Sequence, residues 1–171
     1  PPVSFWYVEG ASHPGPAQPG GVMDTHVRER IEAILGAAQA AGRTRLLEGE
    51  VYEVLREIGI GTPRFVVLPV DAGKSEWRTR LASWMDGPAM AGAVVKIQSA
   101  DILHKTEAGG IGFTPADPDR IASESAAVLE RVRRSTPAAQ LAGILVCEQI
   151  AYEPHIPGNE ALLSLRQDQA M

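Results

Sequence analysis

The sequence has little cysteine, little net charge and no long apolar run, and each shortage argues against a class of protein. Cys147 is the only cysteine among the 171 residues, so an internal disulfide is excluded, and its apolar surroundings predict a buried, small hydrophobic residue. The net charge of −5 arises from mixed signs without a basic face, which argues against a nucleic-acid partner. No stretch approaches the roughly 20 apolar residues of a membrane helix, so we expect no membrane partner and a cytoplasmic location.

Several common site motifs are also missing. Neither G-x-x-x-x-G-K-[ST] nor G-x-G-x-x-G occurs, so neither a P-loop nor a Rossmann dinucleotide fold is supported. No Cys/His spacing suggests zinc, and no CoA-binding module is visible. The length fits one domain, with or without an extension.

The composition divides the chain into two parts. Residues 1–22 are rich in Pro, Gly and Ala, which predicts a flexible N-terminal segment because such residues bury little surface. Residues 23–171 form the predicted domain, in which helices alternate with strands, as in α/β or α+β folds. The predicted helices are Asp24 to about Gly42, Leu46–Ile58, Ser75–Trp84 and Pro118–Arg133. The predicted strands are Arg64–Leu68, Ala93–Ile97, Ile111–Phe113, Gly143–Ile150 and Ala161–Leu165.

The run from Val94 to Ile111 is the most informative part of the sequence. A β-branched strand ends in Lys96, and a polar loop follows that carries His104, Lys105 and the pair Gly109-Gly110. Lysine supplies a compact positive charge, glycine lets backbone N–H groups approach an anion, and histidine can carry a proton or a phosphoryl group. The combination suits phosphate chemistry, although a solvated strand-end lysine and an idle loop histidine remain the simpler interpretations.

This run resembles the ATP-grasp domain of the nucleoside-diphosphate-forming acyl-CoA synthetases, such as ADP-forming acetate–CoA ligase. That family has lysine at a strand end, then serine, then Asp-Ile-x-His-Lys and a Gly-Gly pair. Gly42–Glu48, Leu55–Pro63 and Gly143–Ile150 agree with flanking family segments, and the similarity extends roughly from Ala37 to Asp168. The resemblance implies an α/β (α+β) architecture, namely the N-terminal part of an ATP-grasp fold that is incomplete at its C-terminus.

The resemblance also implies roles for individual residues. His104 is expected to carry phosphate between the nucleotide site and a distant acyl-CoA site, with Asp101 or Glu107 as candidates to orient its ring. Glu148 would mark the hinge whose backbone contacts adenine. The expected nucleotide-binding residues are Lys96, Lys105, Gly109, Gly110, Glu148 and Ile150. No metal ligand is assigned in this chain, because the family's Mg²⁺ ligands come from sequence beyond residue 171.

The implied reaction is acyl-CoA + ADP + phosphate ⇌ carboxylic acid + CoA + ATP. It requires ATP or ADP and Mg²⁺, an acyl-CoA substrate, and a CoA-binding α subunit or domain as partner. Because the C-terminal half of the grasp is missing from this sequence, we expect the isolated chain to be inactive. Two alternatives remain open: a non-catalytic regulatory ATP-grasp domain associated with an acyltransferase, and an inactive fragment.

Overall fold

The structure is a computed structural model that describes residues 24–150. Four helices lie in this part of the chain: α1 (Thr25–Ala40), α2 (Glu48–Glu57), α3 (Lys74–Met85) and α4 (Pro118–Ser135). Four strands accompany them: β1 (Phe65–Leu68), β2 (Ala93–Gln98), β3 (Ile111–Thr114) and β4 (Gly143–Glu148). The predicted segment at residues 1–22 and the predicted strand Ala161–Leu165 lie outside the described residues.

The four strands form one antiparallel sheet in the order β1-β4-β2-β3. The last strand in the chain therefore lies inside the sheet, between β1 and β2. Lys96 of β2 lies opposite Leu145 of β4 on one side and Ile111 of β3 on the other. This register places Lys96 in the interior of the sheet, next to the strand that follows the loop.

The main core lies between one face of the sheet and the helices α3 and α4. Helix α4 begins where it does because the Asp117 carboxylate accepts a hydrogen bond from the Arg120 amide at 2.8 Å and Pro118 fits the first helical turn. The fully buried side chains include Leu68, Leu81, Val95, Ile97, Ile121, Val128, Val132, Ile144 and Val146. Side chains alternate along a strand, so Lys96, between Val95 and Ile97, projects from the opposite face.

Helix α2 is held close to that opposite face. The Gly49 amide donates to the Gln98 Oε1 at 3.0 Å, and the Tyr52 ring lies 5.4 Å from the Phe65 ring, centroid to centroid. A side-chain carbon on Gly49 would lie 3.4 Å from the Gln98 Oε1 and 3.5 Å from the Val67 side chain. The close approach brings the first residue of α2, Glu48, to the same side of the sheet as Lys96.

Within the described residues, every predicted helix and strand is present. The α/β (α+β) class is confirmed, with mixed helices and an antiparallel sheet. The strand predicted at Gly143–Ile150 ends two residues early, at Glu148. Helix α1 ends at Ala40 and is followed by Gly42, whose φ of +70° lies in the left-handed region.

Candidate functional site

Glu48 joins the two lysines of the informative run. Its Oε1 accepts from the Lys96 Nζ at 2.6 Å, and its Oε2 accepts from the Lys105 Nζ at 3.1 Å. The Tyr52 hydroxyl, one helical turn later, also donates to Oε1, at 2.8 Å. A strand lysine and a loop lysine, 48 and 57 residues away from Glu48 in sequence, therefore meet at its carboxylate beside Tyr52.

This carboxylate is kept ionised by its partners. Burial alone would raise the pKa of Glu48, but the hydrogen bond and charge of Lys96, the Tyr52 hydroxyl and the charge of Lys105 outweigh it, so the pKa is lowered. Burial raises the pKa of Tyr52, and the adjacent Glu48 carboxylate raises it further. The side chains of Glu48, Lys96 and Lys105 are 21%, 22% and 25% exposed, so the cluster is half-buried and open to a ligand.

The loop between β2 and β3 is fastened where it begins. The Ser99 hydroxyl donates to the Gln140 carbonyl at 2.7 Å and accepts from the Asp101 amide at 3.1 Å. The Asp101 carboxylate accepts from the Gln140 amide at 2.8 Å. Asp101 was a candidate to orient the His104 ring, but the structure uses its carboxylate to tie the loop to the segment before β4.

The loop is fastened again where it ends, by α4. The Arg131 guanidinium donates to the Gly109 carbonyl at 3.1 Å and to the Glu124 carboxylate at 3.0 Å. The Ser135 hydroxyl donates to the Ala108 carbonyl at 2.8 Å. Between these two fastened ends, His104 and Lys105 lie on the part of the loop that faces Glu48 and β2.

The two glycines give the loop its shape. Gly109 has a φ of +70° and its amide donates to the Thr106 carbonyl at 3.1 Å. The Gly110 amide donates to the Lys105 carbonyl at 2.7 Å, and its carbonyl accepts from the Ile97 amide at 2.8 Å. The amides expected to approach a phosphate are thus engaged within the loop. These hydrogen bonds build a compact turn at the end of the loop.

His104 and the two lysines line one open cavity of about 420 Å³. His104 is exposed, so its ring is accessible to a ligand in that space. The wall of the cavity is formed by Glu48, Lys96, Leu103, His104, Lys105, Thr106, Glu107 and Ile111. Two ammonium groups beside an exposed imidazole can neutralise and accept a phosphoryl group. A larger cavity of about 600 Å³ lies between residues 41–45, 100–101 and 140–142 and includes neither Lys96 nor His104.

Glu148 lies apart from this cavity. It pairs with Ala93 across the sheet, so its side chain projects from the face opposite to Lys96. Its carboxylate accepts from the Arg64 amide at 3.0 Å and from the Arg64 guanidinium at 3.3 Å, and its own amide donates to the Arg64 carbonyl at 2.9 Å. Ile150, 56% exposed, is therefore the more accessible of the two residues expected to meet a nucleobase.

Three residues of the site have no role in the sequence analysis: Glu48, Tyr52 and Arg131. Glu48 is the last residue of the Gly42–Glu48 segment that supports the family resemblance. An acidic residue at the start of a helix is common because its charge interacts favourably with the helix dipole, so its presence there does not by itself indicate a binding role. Its spacing of four from Tyr52 is the one local signal of their hydrogen bond. The contacts to Lys96 and Lys105 span 48 and 57 residues, a separation that no local pattern reveals.

The described residues do not offer a metal centre. In residues 24–150, no three side chains of His, Cys, Asp or Glu come together in a way that could hold a metal ion. The cavity beside His104 is lined by two lysines and by the carboxylates of Glu48, which both lysines hold, and Glu107, a set that does not fit Mg²⁺. Over the same range, no helix has the length and apolar character needed to cross a membrane.

Comparison with known proteins defines the class of the chain. It belongs to the ATP-grasp family, because the family model for the ATP-grasp domain matches residues 37–171. The relatives it resembles are CoA ligases. The β subunit of ADP-forming acetate–CoA ligase I of Pyrococcus furiosus is 26% identical over 139 residues, covering 81% of this chain and 54% of that protein. The β subunit of ligase II of the same organism is 25% identical over 138 residues, covering 81% and 51%. The chain thus spans about half the length of these subunits.

Solved structures show the same fold. Acetyl-coenzyme A synthetase 1 of Ca. Korarchaeum cryptofilum, in complex with coenzyme A and Ca-AMPCP, superimposes with a TM-score of 0.59 at 25% identity, covering 71% of this chain and 49% of that one. A Pyrococcus horikoshii structure matches with a TM-score of 0.59 at 22% identity and covers 72% and 49%. The ATP-grasp fold expected from the sequence is therefore confirmed, and the matched portion is about half of each neighbour.

Proposed function

We propose that this chain is the nucleotide-binding part of an ADP-forming acyl-CoA synthetase in which His104 carries a phosphoryl group. One observation supports the assignment most strongly. The loop after β2 folds back so that His104 and Lys105 share a cavity with the strand lysine Lys96. Membership of the ATP-grasp family and similarity to two acetate–CoA ligase β subunits supply the class of reaction.

The proposed chemistry at this cavity is a phosphoryl transfer. Written in the direction of ATP consumption, a neutral ring nitrogen of His104 attacks the γ-phosphorus. The new N–P bond forms as the bond from the γ-phosphorus to the bridging oxygen breaks, ADP leaves with that electron pair, and the ring loses its N–H proton to solvent. Lys96 and Lys105 neutralise charge on the phosphate oxygens, which is the main demand of this reaction.

The rest of the reaction requires other parts of the assembly. The phosphoryl group would pass from His104 to a carboxylate oxygen of the acid, giving an acyl phosphate. The CoA thiol would then attack the acyl carbon, and phosphate would leave with that oxygen, giving acyl-CoA. We assign CoA and acyl-CoA binding to an α subunit or domain, in keeping with the β-subunit names of the relatives. Mg²⁺, which supports phosphoryl transfer by neutralising phosphate charge, would be held by residues outside the described part of the chain. The nucleobase would meet the chain near Ile150, at the end of β4.

Substitution of Lys96 tests the nucleotide site. In the full-length protein, Lys96→Ala should weaken ATP binding by about 1.5–3 kcal/mol, the value of a hydrogen bond to a charged group. The control is Lys74→Ala, which removes the same charge from the exposed start of α3 and should leave the affinity within about 0.5 kcal/mol. Calorimetric titration measures both. Equal affinities in the two variants would contradict the proposed site.

The same titration combined with phosphate labelling of His104 separates the catalytic proposal from a regulatory one. A regulatory ATP-grasp domain would bind nucleotide in a Lys96-dependent way without transferring phosphate to His104. An inactive fragment would bind no nucleotide at all. Nucleotide binding together with phosphate on His104 is the result that the proposed function requires.

A further inference from the structure

The environment of Glu48 suggests more than an ordinary ion pair. A phosphate group bound between Lys96 and Lys105 would present two oxygens to two ammonium groups. Glu48 presents two oxygens to those same groups, Oε1 at 2.6 Å from Lys96 and Oε2 at 3.1 Å from Lys105. The carboxylate therefore already occupies the position between the two positive charges that a phosphate would need.

We propose that Glu48 is an internal anion that competes with the nucleotide phosphate for Lys96 and Lys105 and, while it is bound to them, holds the His104 loop against the sheet. This inference rests on the proposed function, because it takes the two lysines as the phosphate ligands. Glu48 acts through the lysines and touches no reacting atom, so its role is that of a positioning residue.

The position of Glu48 makes it suited to hold the loop. It is the first residue of α2, and α2 is fixed to the sheet by the Gly49–Gln98 hydrogen bond at 3.0 Å and by the packing of Tyr52 on Phe65. The loop is attached near its beginning by Asp101 and the buried Ile102 side chain and near its end by Arg131, so Lys105 lies between these attachments. Within the described part of the chain, the Lys105–Glu48 ion pair is the one charged contact that ties the middle of the loop to the rest of the domain.

Competition follows from the count of charges. The Glu48 carboxylate offsets one of the two ammonium charges, so the lysines present less positive charge to an incoming phosphate than they would without it. A nucleotide must therefore either displace Glu48 from at least one lysine or bind beside it against its repulsion. Both routes lower nucleotide affinity, and displacement also releases Lys105 from α2. Phosphate binding is thereby coupled to the mobility of the loop that carries His104.

Glu48→Gln tests the competition directly. The variant keeps the shape of the side chain and removes its charge, so affinity for ADP and for inorganic pyrophosphate should rise by at least about fivefold, the lower end of common coupling between linked sites. The matched control is Glu53→Gln, which removes the same charge from the exposed side of the same helix and should change neither affinity by more than about twofold. Calorimetry on the full-length protein gives both values.

Hydrogen exchange tests the hold on the loop without any ligand. The reporters are the amides of Ala108 and Gly109, which donate to carbonyls within the loop. They should exchange at least about fivefold faster in Glu48→Gln than in the wild type or in Glu53→Gln, since local opening sets their protection. Lys105→Met removes the other end of the same ion pair from an exposed loop and should accelerate the same two amides, so the prediction holds even if Glu48→Gln folds poorly.

The outcomes are distinguishable. If the wild type binds ADP and Glu48→Gln binds it equally or more weakly, Glu48 is a structural partner of the lysines, and the inference is overturned while the proposed function stands. Unchanged exchange at Ala108 and Gly109 in both Glu48→Gln and Lys105→Met overturns the loop-holding role. If the wild-type protein binds neither ADP nor pyrophosphate, the proposed function fails, and the competition fails with it.

Discussion

At the scale of single residues, Lys96 belongs to the ion-pair cluster around Glu48, unlike a solvated lysine at the end of a strand. A lone strand-end lysine contributes little to stability and can be replaced at small cost. Here Lys96 is 22% exposed and donates to Glu48 at 2.6 Å. Its removal leaves Glu48 with Lys105 and the Tyr52 hydroxyl, so the carboxylate keeps two partners and the fold should tolerate the change. Lys96 is therefore a suitable site for separating binding from folding.

Acid should weaken this cluster in a defined direction. Because the pKa of Glu48 is lowered in the folded state, its stabilisation is complete above the ordinary value of 4.5 and is lost as the pH falls through the lowered value. The groups that face it are Lys96 on β2, Lys105 on the loop and the Tyr52 hydroxyl on α2.

We expect the difference in unfolding free energy between the wild type and Glu48→Gln to be constant from pH 7 to pH 5 and to shrink below 4.5. Urea denaturation of both proteins at several pH values measures it. Taking the difference removes the contribution of other carboxylates. A difference that grows as the pH falls would contradict the lowered pKa.

At the scale of elements, the turn at the end of the His104 loop depends on glycine for reasons of space. A side-chain carbon at Gly110 would lie 2.6 Å from the Ile97 side chain and 3.1 Å from the Lys105 carbonyl. Both neighbours are fixed, Ile97 by the core and Lys105 by the turn. The sequence predicts that the Gly-Gly pair lets backbone amides approach an anion, and the structure adds that Gly110 allows a close approach between the loop and β2.

Gly110→Ala should destabilise the domain by about 1–3 kcal/mol, the usual cost of overpacking. Gly61→Ala is the matched control, because nothing lies within 4 Å of a side-chain carbon at Gly61. The control should change stability by less than about 1 kcal/mol. Thermal or urea denaturation compares the two variants, and equal stabilities would show that the turn can move away from Ile97.

Sequence patterns identify the elements because each carries its own local signal. Helix α4 has an apolar stripe, the Asp117 cap and Pro118 in its first turn, and all three features can be recognised from the sequence alone. The strands β2 and β4 are short apolar runs bounded by polar or glycine residues. The ends of strands are harder to predict: β4 ends at Glu148, although the Gln149 amide donates to the Gly92 carbonyl at 2.9 Å in the same register.

At the scale of the whole molecule, the sheet order determines the site and could not be read from the sequence. The order β1-β4-β2-β3 places β4 between strands that precede it by long stretches of chain, and it depends on contacts between distant residues. The same holds for the meeting of Glu48 with Lys96 and Lys105. His104 and the lysines are predicted from a motif, whereas the pairing of the Glu48 carboxylate with both lysines is evident only in three dimensions.

The cavity brings together Lys96, His104 and Lys105, residues of the run on which the family resemblance rests. The exposed His104 and Lys105 lie on a loop attached near both ends, Lys96 lies beside them on β2, and the fold is that of ATP-grasp domains. A phosphoryl group on His104 would have positive charge beside it while bound here. A carrier histidine on a loop also suits two reaction centres that lie too far apart for direct transfer.

The most direct measurement is transfer of labelled phosphate from ATP, with Mg²⁺, to His104 in the full-length protein. We predict incorporation in the wild type and in His26→Ala, which removes an exposed histidine of α1, and none in His104→Ala. The label should be lost in acid and survive base, as expected for a phosphorus–nitrogen bond on histidine. Label that persists in His104→Ala, or a wild-type protein that binds ATP in a Lys96-dependent way yet takes up no label, would contradict the account.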